Sequence, residues 1–81
     1  MNNNLQATIR TAHISLQRAM DGDQDALIAA RFSLSLALEI ATDDEGERNA
    51  QRVAQVAASD IDEGRLGAAL MYLKRADHWL E

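Results

Sequence analysis

The chain has 81 residues, which is enough for one small domain, and we predict a single domain over residues 1–81. It contains no cysteine, so disulfides and zinc sites with cysteine ligands are excluded. Its formal net charge of −5 argues against direct binding to nucleic acid, because the neutralisation of phosphates drives such binding.

The compartment is the next property that the sequence bears on. No segment resembles a signal peptide, and no apolar run approaches the roughly 18 residues that a membrane span needs. Together with the lack of cysteine, these features predict a cytoplasmic protein without a membrane segment.

Apolar spacing and turn residues predict a helical chain. Hydrophobic residues make up 47% of the sequence, alanine supplies much of that share, and there is no proline. The predicted helices cover Asn4–Met20, Asp25–Ala41, Glu45–Asp62 and Leu66 to the C-terminus. Gly22 and Gly64 follow the first and third helices, where glycine can adopt the left-handed conformation. The short connections predict an all-α, compact bundle of four antiparallel helices arranged as two helical hairpins.

The second predicted helix is apolar on two opposite faces. One stripe contains Leu27, Ala30, Leu34, Ala37, Leu38 and Ala41. The other contains Ile28, Phe32, Leu36 and Ile40. A helix that is apolar nearly all round is normally buried all round, and 81 residues leave little material to surround it. We therefore expect a second chain to cover one of these faces.

The other helices each have one main apolar stripe. In the first it is Leu5, Ile9, Ala12, Leu16 and Met20; in the third, Ala50, Val53, Ala54, Ala57 and Ile61; in the fourth, Leu66, Ala69, Leu70, Leu73, Ala76 and Leu80. These stripes predict the core of the bundle.

The fourth helix has a second group of residues opposite its core stripe, namely Met71, Tyr72, Arg75, His78 and Trp79. Aromatic residues, methionine and arginine are enriched at interface hot spots, which favours a contact surface. The alternative is that an aromatic ring folds back over another helix and completes the core. If the fourth helix covers Ile28, Phe32 and Leu36 in the monomer, the exposed contact surface is the one on the fourth helix.

Acidic residues cluster before and in the first turn of the third helix, at Asp43, Asp44, Glu45 and Glu47. One interpretation is a patch for a basic partner. The other is favourable placement at the positive end of the helix dipole, in a solvated turn. The sequence favours the second interpretation, because acids also stand at the start of the second helix.

Residues with catalytic or metal-binding potential do not form a recognisable pattern. His13 and His78 have no partner at metal-ligand spacing, and there is no nucleophile motif or glycine-rich phosphate loop. We therefore predict a protein that is not an enzyme, with no cofactor and no metal.

These features predict a non-enzymatic protein-interaction module. It is expected to self-associate, with a dimer favoured, and to act by binding and occluding or bridging a protein partner. Its size and acidity resemble those of small phage and mobile-element inhibitors of host machinery, such as anti-CRISPR proteins, by analogy of style alone. The alternative is an oligomeric small-ligand or nucleotide-binding protein with pockets between subunits, where Arg31, Tyr72 and Arg75 would make the contacts.

Overall fold

The computed structural model describes residues 3–80, Asn3 by its backbone alone, and within this range the chain forms four α-helices. They are α1 (Asn3–Met20), α2 (Gln24–Glu39), α3 (Glu45–Asp62) and α4 (Leu66–Trp79). The helices pack in a square, α1 against α2, α2 against α3, α3 against α4 and α4 against α1. The predicted bundle of two helical hairpins is confirmed, and α2 and α4 occupy opposite corners of it.

The two hairpin turns have the same backbone structure. Gly22 and Gly64 have positive φ angles of 113° and 82°. In the first turn the N–H of Asp23 donates to the carbonyl of Arg18 at 3.0 Å, and in the second the N–H of Arg65 donates to the carbonyl of Asp60 at 2.7 Å. In both turns the acceptor lies five residues before the donor. This Schellman arrangement satisfies carbonyls that the helix end leaves unpaired. It reverses the chain in so few residues that consecutive helices must lie side by side.

Carboxylates cap the first turns of α2 and α3. Asp23 accepts a hydrogen bond from the backbone N–H of Ala26 at 3.3 Å, and Asp44 accepts one from Glu47 at 2.9 Å. Each side chain satisfies an N–H group that has no partner within its helix.

The carboxyl end of α2 is closed by a side chain from α3. The amide nitrogen of Gln51 donates to the carbonyls of Ala37, at 3.0 Å, and Ile40, at 2.6 Å. The helix ends at Glu39, so the predicted extension to Ala41 is wrong, and Ala41 is exposed after the helix rather than part of a buried stripe. Gln51 itself is half-buried, although the periodicity of α3 alone would place it on the outward face.

The interior is narrow and consists mostly of alanine. Ten of the seventeen buried hydrophobic residues among those described are alanines. The largest fully buried side chains are Leu5, Ile9, Leu16, Leu34, Leu73 and Leu80. Small side chains let neighbouring helices approach closely, and the bundle measures 36 × 19 × 18 Å. The interior therefore holds few large side chains.

Several residues of the predicted stripes lie at the edge of this core. Leu27, Leu38, Val53, Leu66 and Leu70 are half-buried and pack against it. Met20 is exposed, contrary to prediction, because it is the last residue of α1.

The glycines of the α3–α4 hairpin provide a matched stability test. We expect Gly64→Ala to lower the free energy of unfolding by about 1–2 kcal/mol, because alanine is disfavoured at positive φ. Gly67→Ala is expected to be neutral or to raise it by up to about 1 kcal/mol, because Gly67 is helical and an added Cβ meets nothing within 4 Å. Urea unfolding of both variants measures the difference, and equal effects would contradict the assigned turn.

Candidate interaction surface

The outer side of α2 carries three large apolar side chains that the bundle does not cover. Ile28 is 71% exposed, Phe32 64% and Leu36 44%. They are four residues apart, so they lie on one face of the helix, with Phe32 near its middle. We refer to Ile28, Phe32 and Leu36 as the α2 apolar face. Because α4 packs at the opposite corner of the square, it does not cover this face.

Ile40, the fourth residue of the predicted second stripe, has a different position. It is half-buried, packs against the core and lies beyond the last residue of α2. The α2 apolar face is therefore shorter than the sequence predicts, at just over two helical turns.

An open groove of about 430 Å³ lies beside the α2 apolar face, between α2 and α3. Its lining residues are Leu27, Ile28, Arg31, Phe32, Ser35, Ile61 and Asp62. Two side chains of the α2 apolar face thus form part of a concave surface, which a protruding side chain of another molecule can enter.

Arg31 and Asp62 join the two helices at this groove. The guanidinium donates through Nε to Oδ1 of Asp62 at 2.8 Å and through Nη2 to Oδ2 at 3.2 Å. Its remaining nitrogen, Nη1, donates to the hydroxyl of Ser35 at 2.8 Å. This two-bond pairing is the favourable geometry for an arginine and a carboxylate. It holds the groove wall in place and neutralises the charge of Arg31.

The same pair shifts the ionisation of both groups. The hydrogen bond from Arg31 lowers the pKa of the Asp62 carboxyl below its ordinary value, and the pairing raises the pKa of Arg31. Hydrogen bonds to the charged form favour that form. Both groups are therefore charged over the whole neutral range.

The outer side of α4 is the second exposed surface. Trp79 is 52% exposed and Met71 49%. Arg75 and His78 are exposed between them in sequence, and we refer to Met71, Arg75, His78 and Trp79 as the α4 outer face. The guanidinium carbon of Arg75 lies 5.6 Å from the ring centroid of Tyr72, within cation–π distance.

Tyr72 belongs partly to the core. It is half-buried and packs against the core, as the alternative reading of the aromatic residues anticipates for one ring. Trp79 does not pack into the core in this way, because about half of its surface is exposed.

The predicted interface residues fall into two separate groups. The α2 apolar face and the α4 outer face are on helices at opposite corners of the bundle, so one molecule does not bring them together. Arg31 and Arg75, the predicted contacts for a small ligand, are divided in the same way. A single site that includes both groups requires more than one copy of the chain.

The acidic cluster is largely used by local structure. Asp44 caps α3, and Glu47 is buried and accepts a hydrogen bond from the hydroxyl of Thr42. Asp43 lies 3.6 Å from Arg48, and Glu45 is exposed in the first helical turn. Glu47 therefore adds nothing to a surface patch.

An ion pair between buried Asp60 and exposed Arg65 lies at the α3–α4 turn, and sequence periodicity does not reveal it. The carboxylate of Asp60 is buried and accepts from Nε of Arg65 at 3.0 Å and from Nη2 at 2.9 Å. Arg65 also pairs with Glu63, which raises its pKa further. This group stabilises the second hairpin and lies away from the α2 apolar face. The spacing of five residues across a glycine turn is the one sequence signal that could have indicated it.

Residues 3–80 contain neither a metal-binding cluster nor a helix able to cross a membrane. No group of three or more histidine, aspartate or glutamate side chains there could hold a metal ion. None of the four helices combines the length and the apolar character that crossing a membrane requires.

Comparison of the chain with family models, with curated proteins and with solved structures found no match.

The Arg31–Asp62 pair predicts a pH dependence of stability. Because the folded-state pKa of Asp62 lies below its ordinary value of 3.8, its contribution is complete above pH 3.8 and is lost as the pH falls through the folded-state pKa. We expect Asp62→Asn to lower the urea midpoint near neutral pH and to differ progressively less from the unmodified protein as the acid range is entered.

Glu39→Gln is the control for that measurement, because Glu39 is exposed and forms no ion pair with a described residue. A difference between Asp62→Asn and the unmodified protein that stays constant from neutral to acid pH would contradict the assigned role of the pair.

Proposed function

We propose that the protein is a non-enzymatic interaction module that self-associates and acts by binding a protein partner, which it occludes or bridges. The observation that carries this proposal is the α2 apolar face. Soluble monomers rarely expose contiguous apolar patches of this kind unless the patch is used, and such patches mark interaction sites. The face lies on a regular helix held by packing on both sides, so little ordering is needed when it binds.

The energetics favour a contact in which the partner contributes an apolar surface of its own. Burial of a large apolar side chain contributes about 1.5–3 kcal/mol, so the exposed parts of Ile28, Phe32 and Leu36 supply on the order of 4 kcal/mol. Association itself costs about 4 kcal/mol or more. A productive partner must therefore bury a comparable face, which a second copy or an amphipathic helix can do.

The class of biological role is proposed by analogy. A small, acidic helical module fits the style of phage and mobile-element inhibitors of host machinery, including anti-CRISPR proteins. An acidic surface is drawn to basic channels that accommodate nucleic acid, and a bound module would block them. Cytoplasmic action is part of this proposal.

A second candidate function is supported by the groove between α2 and α3. Its volume of about 430 Å³ is within the range of small-ligand sites, and it combines Phe32 and Ile28 with the guanidinium of Arg31. In this alternative a small ligand such as a nucleotide binds where copies of the chain meet, with an apolar part in the groove, because the charge of Arg31 is already paired with Asp62. A rise in Tm with one member of a nucleotide panel would favour it over the protein-interaction module.

The proposed function predicts that a charge on the α2 apolar face abolishes self-association. We expect Phe32→Asp to be monomeric in light scattering at concentrations where the unmodified chain is oligomeric, because the carboxylate would have to be desolvated in the contact. Phe32 is 64% exposed, so the substitution should leave the helical circular dichroism spectrum unchanged.

Ile14→Asp is the matched control. Ile14 is 57% exposed on α1, outside both predicted faces, so its replacement should leave the oligomer intact. Equal effects of the two substitutions, or a monomer for the unmodified chain at every concentration, would contradict the proposed self-association.

A further inference from the structure

We infer that the α2 apolar face of one copy binds the α4 outer face of another, so that copies of the chain associate head to tail. This inference rests on the proposed self-association and adds to it the identity of the two contacting surfaces. It is carried by the charges that accompany each face.

The α2 apolar face has an acidic residue at each end. At about 100° per residue, Asp25 and Glu39 fall on the same side of α2 as Phe32. Both carboxylates are exposed and neither forms an ion pair with a described residue. Arg31 does not offset these two negative charges, because its guanidinium forms an ion pair with Asp62 at 2.8 Å.

These charges oppose pairing of α2 with α2 of a second copy. Asp25 and Glu39 lie seven residues before and seven residues after Phe32. In an antiparallel contact centred on Phe32, Asp25 of each copy therefore faces Glu39 of the other, which gives two contacts between like charges. In a parallel contact each acid faces its own counterpart. Like charges in a contact act against association, so the α2 apolar face requires a partner of another kind.

The α4 outer face has the opposite sign. Arg75 is exposed at the centre of this face and pairs with no carboxylate within residues 3–80. Asp77, the acidic residue of α4, lies 3.2 Å from Arg10 of α1 and is half-buried on that side of the helix. Pairing of α4 with α4 about Arg75 would bring two guanidinium groups together, so this face also disfavours its own copy.

The two faces match in length as well as in sign. Met71 and Trp79 are eight residues apart with Arg75 midway, just as Ile28 and Leu36 are eight residues apart with Phe32 midway. Helix–helix contact can therefore place two large apolar pairs at its ends and a guanidinium against a phenyl ring at its centre, which is a favourable cation–π arrangement.

The positions of the faces determine the type of assembly. Because α2 and α4 are at opposite corners of the bundle, one molecule can use both faces at once. A contact between two different surfaces continues into a ring or a chain rather than stopping at a symmetric dimer. The dimer is then the first product, and larger species follow as the concentration rises.

A mixing experiment tests this inference. Phe32→Asp blocks the α2 apolar face, and Met71→Asp blocks the α4 outer face. Each variant alone should remain monomeric in analytical ultracentrifugation, whereas an equimolar mixture should form a dimer, because each variant supplies the face that the other lacks. The mixture should stop at two chains, since the remaining two faces are both blocked.

The other outcomes are distinguishable. If Met71→Asp alone still dimerises and Phe32→Asp does not, the contact pairs α2 with α2; the reverse result pairs α4 with α4. Either result overturns the inference while leaving the proposed self-association in place. A monomeric unmodified chain overturns both.

A second pair of variants guards against misfolding and tests the charge argument. Leu36→Glu and Arg75→Glu alter exposed positions, and the same complementation is expected on mixing. The deficit in association of Arg75→Glu relative to the unmodified chain should shrink as the salt rises from about 0.05 M to about 0.5 M, because salt screens the charge at position 75, whereas the repulsion between copies of net charge −5 is screened in both. A deficit that does not change with salt would overturn the pairing of an acidic face with a basic one.

Discussion

A narrow interior of alanine is the constraint on which the rest of this structure depends. Helices that meet through side chains as small as Ala30, Ala54 and Ala69 approach so closely that the space between them admits few large residues. Six leucine and isoleucine side chains are fully buried there. Phe32 and Trp79, the largest apolar side chains of α2 and α4, consequently remain on the outside. The same packing that closes the monomer leaves it with two apolar surfaces.

Such an interior links stability to association. A domain of this size buries only about 60% of the surface that its unfolded chain exposes, and alanine contributes little of the burial that offsets chain entropy. The hairpin turns, the capping carboxylates and the Arg31–Asp62 pair hold the helices in register but bury little apolar area. Any partner that binds the folded state and not the unfolded state adds to stability by mass action. A partner that covers the α2 apolar face would therefore also stabilise the fold.

Much of the fold follows from local chemistry, and therefore from the sequence. The starts of α2 and α3, their caps at Asp23 and Asp44, and the positive φ angles at Gly22 and Gly64 all depend on neighbours within a few residues. Which of the two apolar faces of α2 is buried in the bundle could not be derived in this way. Periodicity identifies two apolar faces, but which one is covered depends on how the hairpins pack, and only the square arrangement places α4 away from α2.

Contacts between helices escaped prediction for the same reason. Gln51 closes the end of α2 from α3, and Arg31 reaches Asp62 across 31 positions of sequence. Glu47 is buried because the hydroxyl of Thr42 provides a partner, which composition does not indicate.

The most direct test of this account measures the exposure of the α2 apolar face as a function of concentration. Since the protein has no cysteine, Ile28→Cys introduces a unique thiol on that face, and Ile14→Cys introduces one on α1. The account predicts that the thiol at position 28 reacts with a maleimide as fast as a free thiol in dilute solution and is protected as the concentration rises, while position 14 stays reactive throughout. Slow reaction at position 28 in dilute solution, or equal reactivity of both thiols at every concentration, would contradict it.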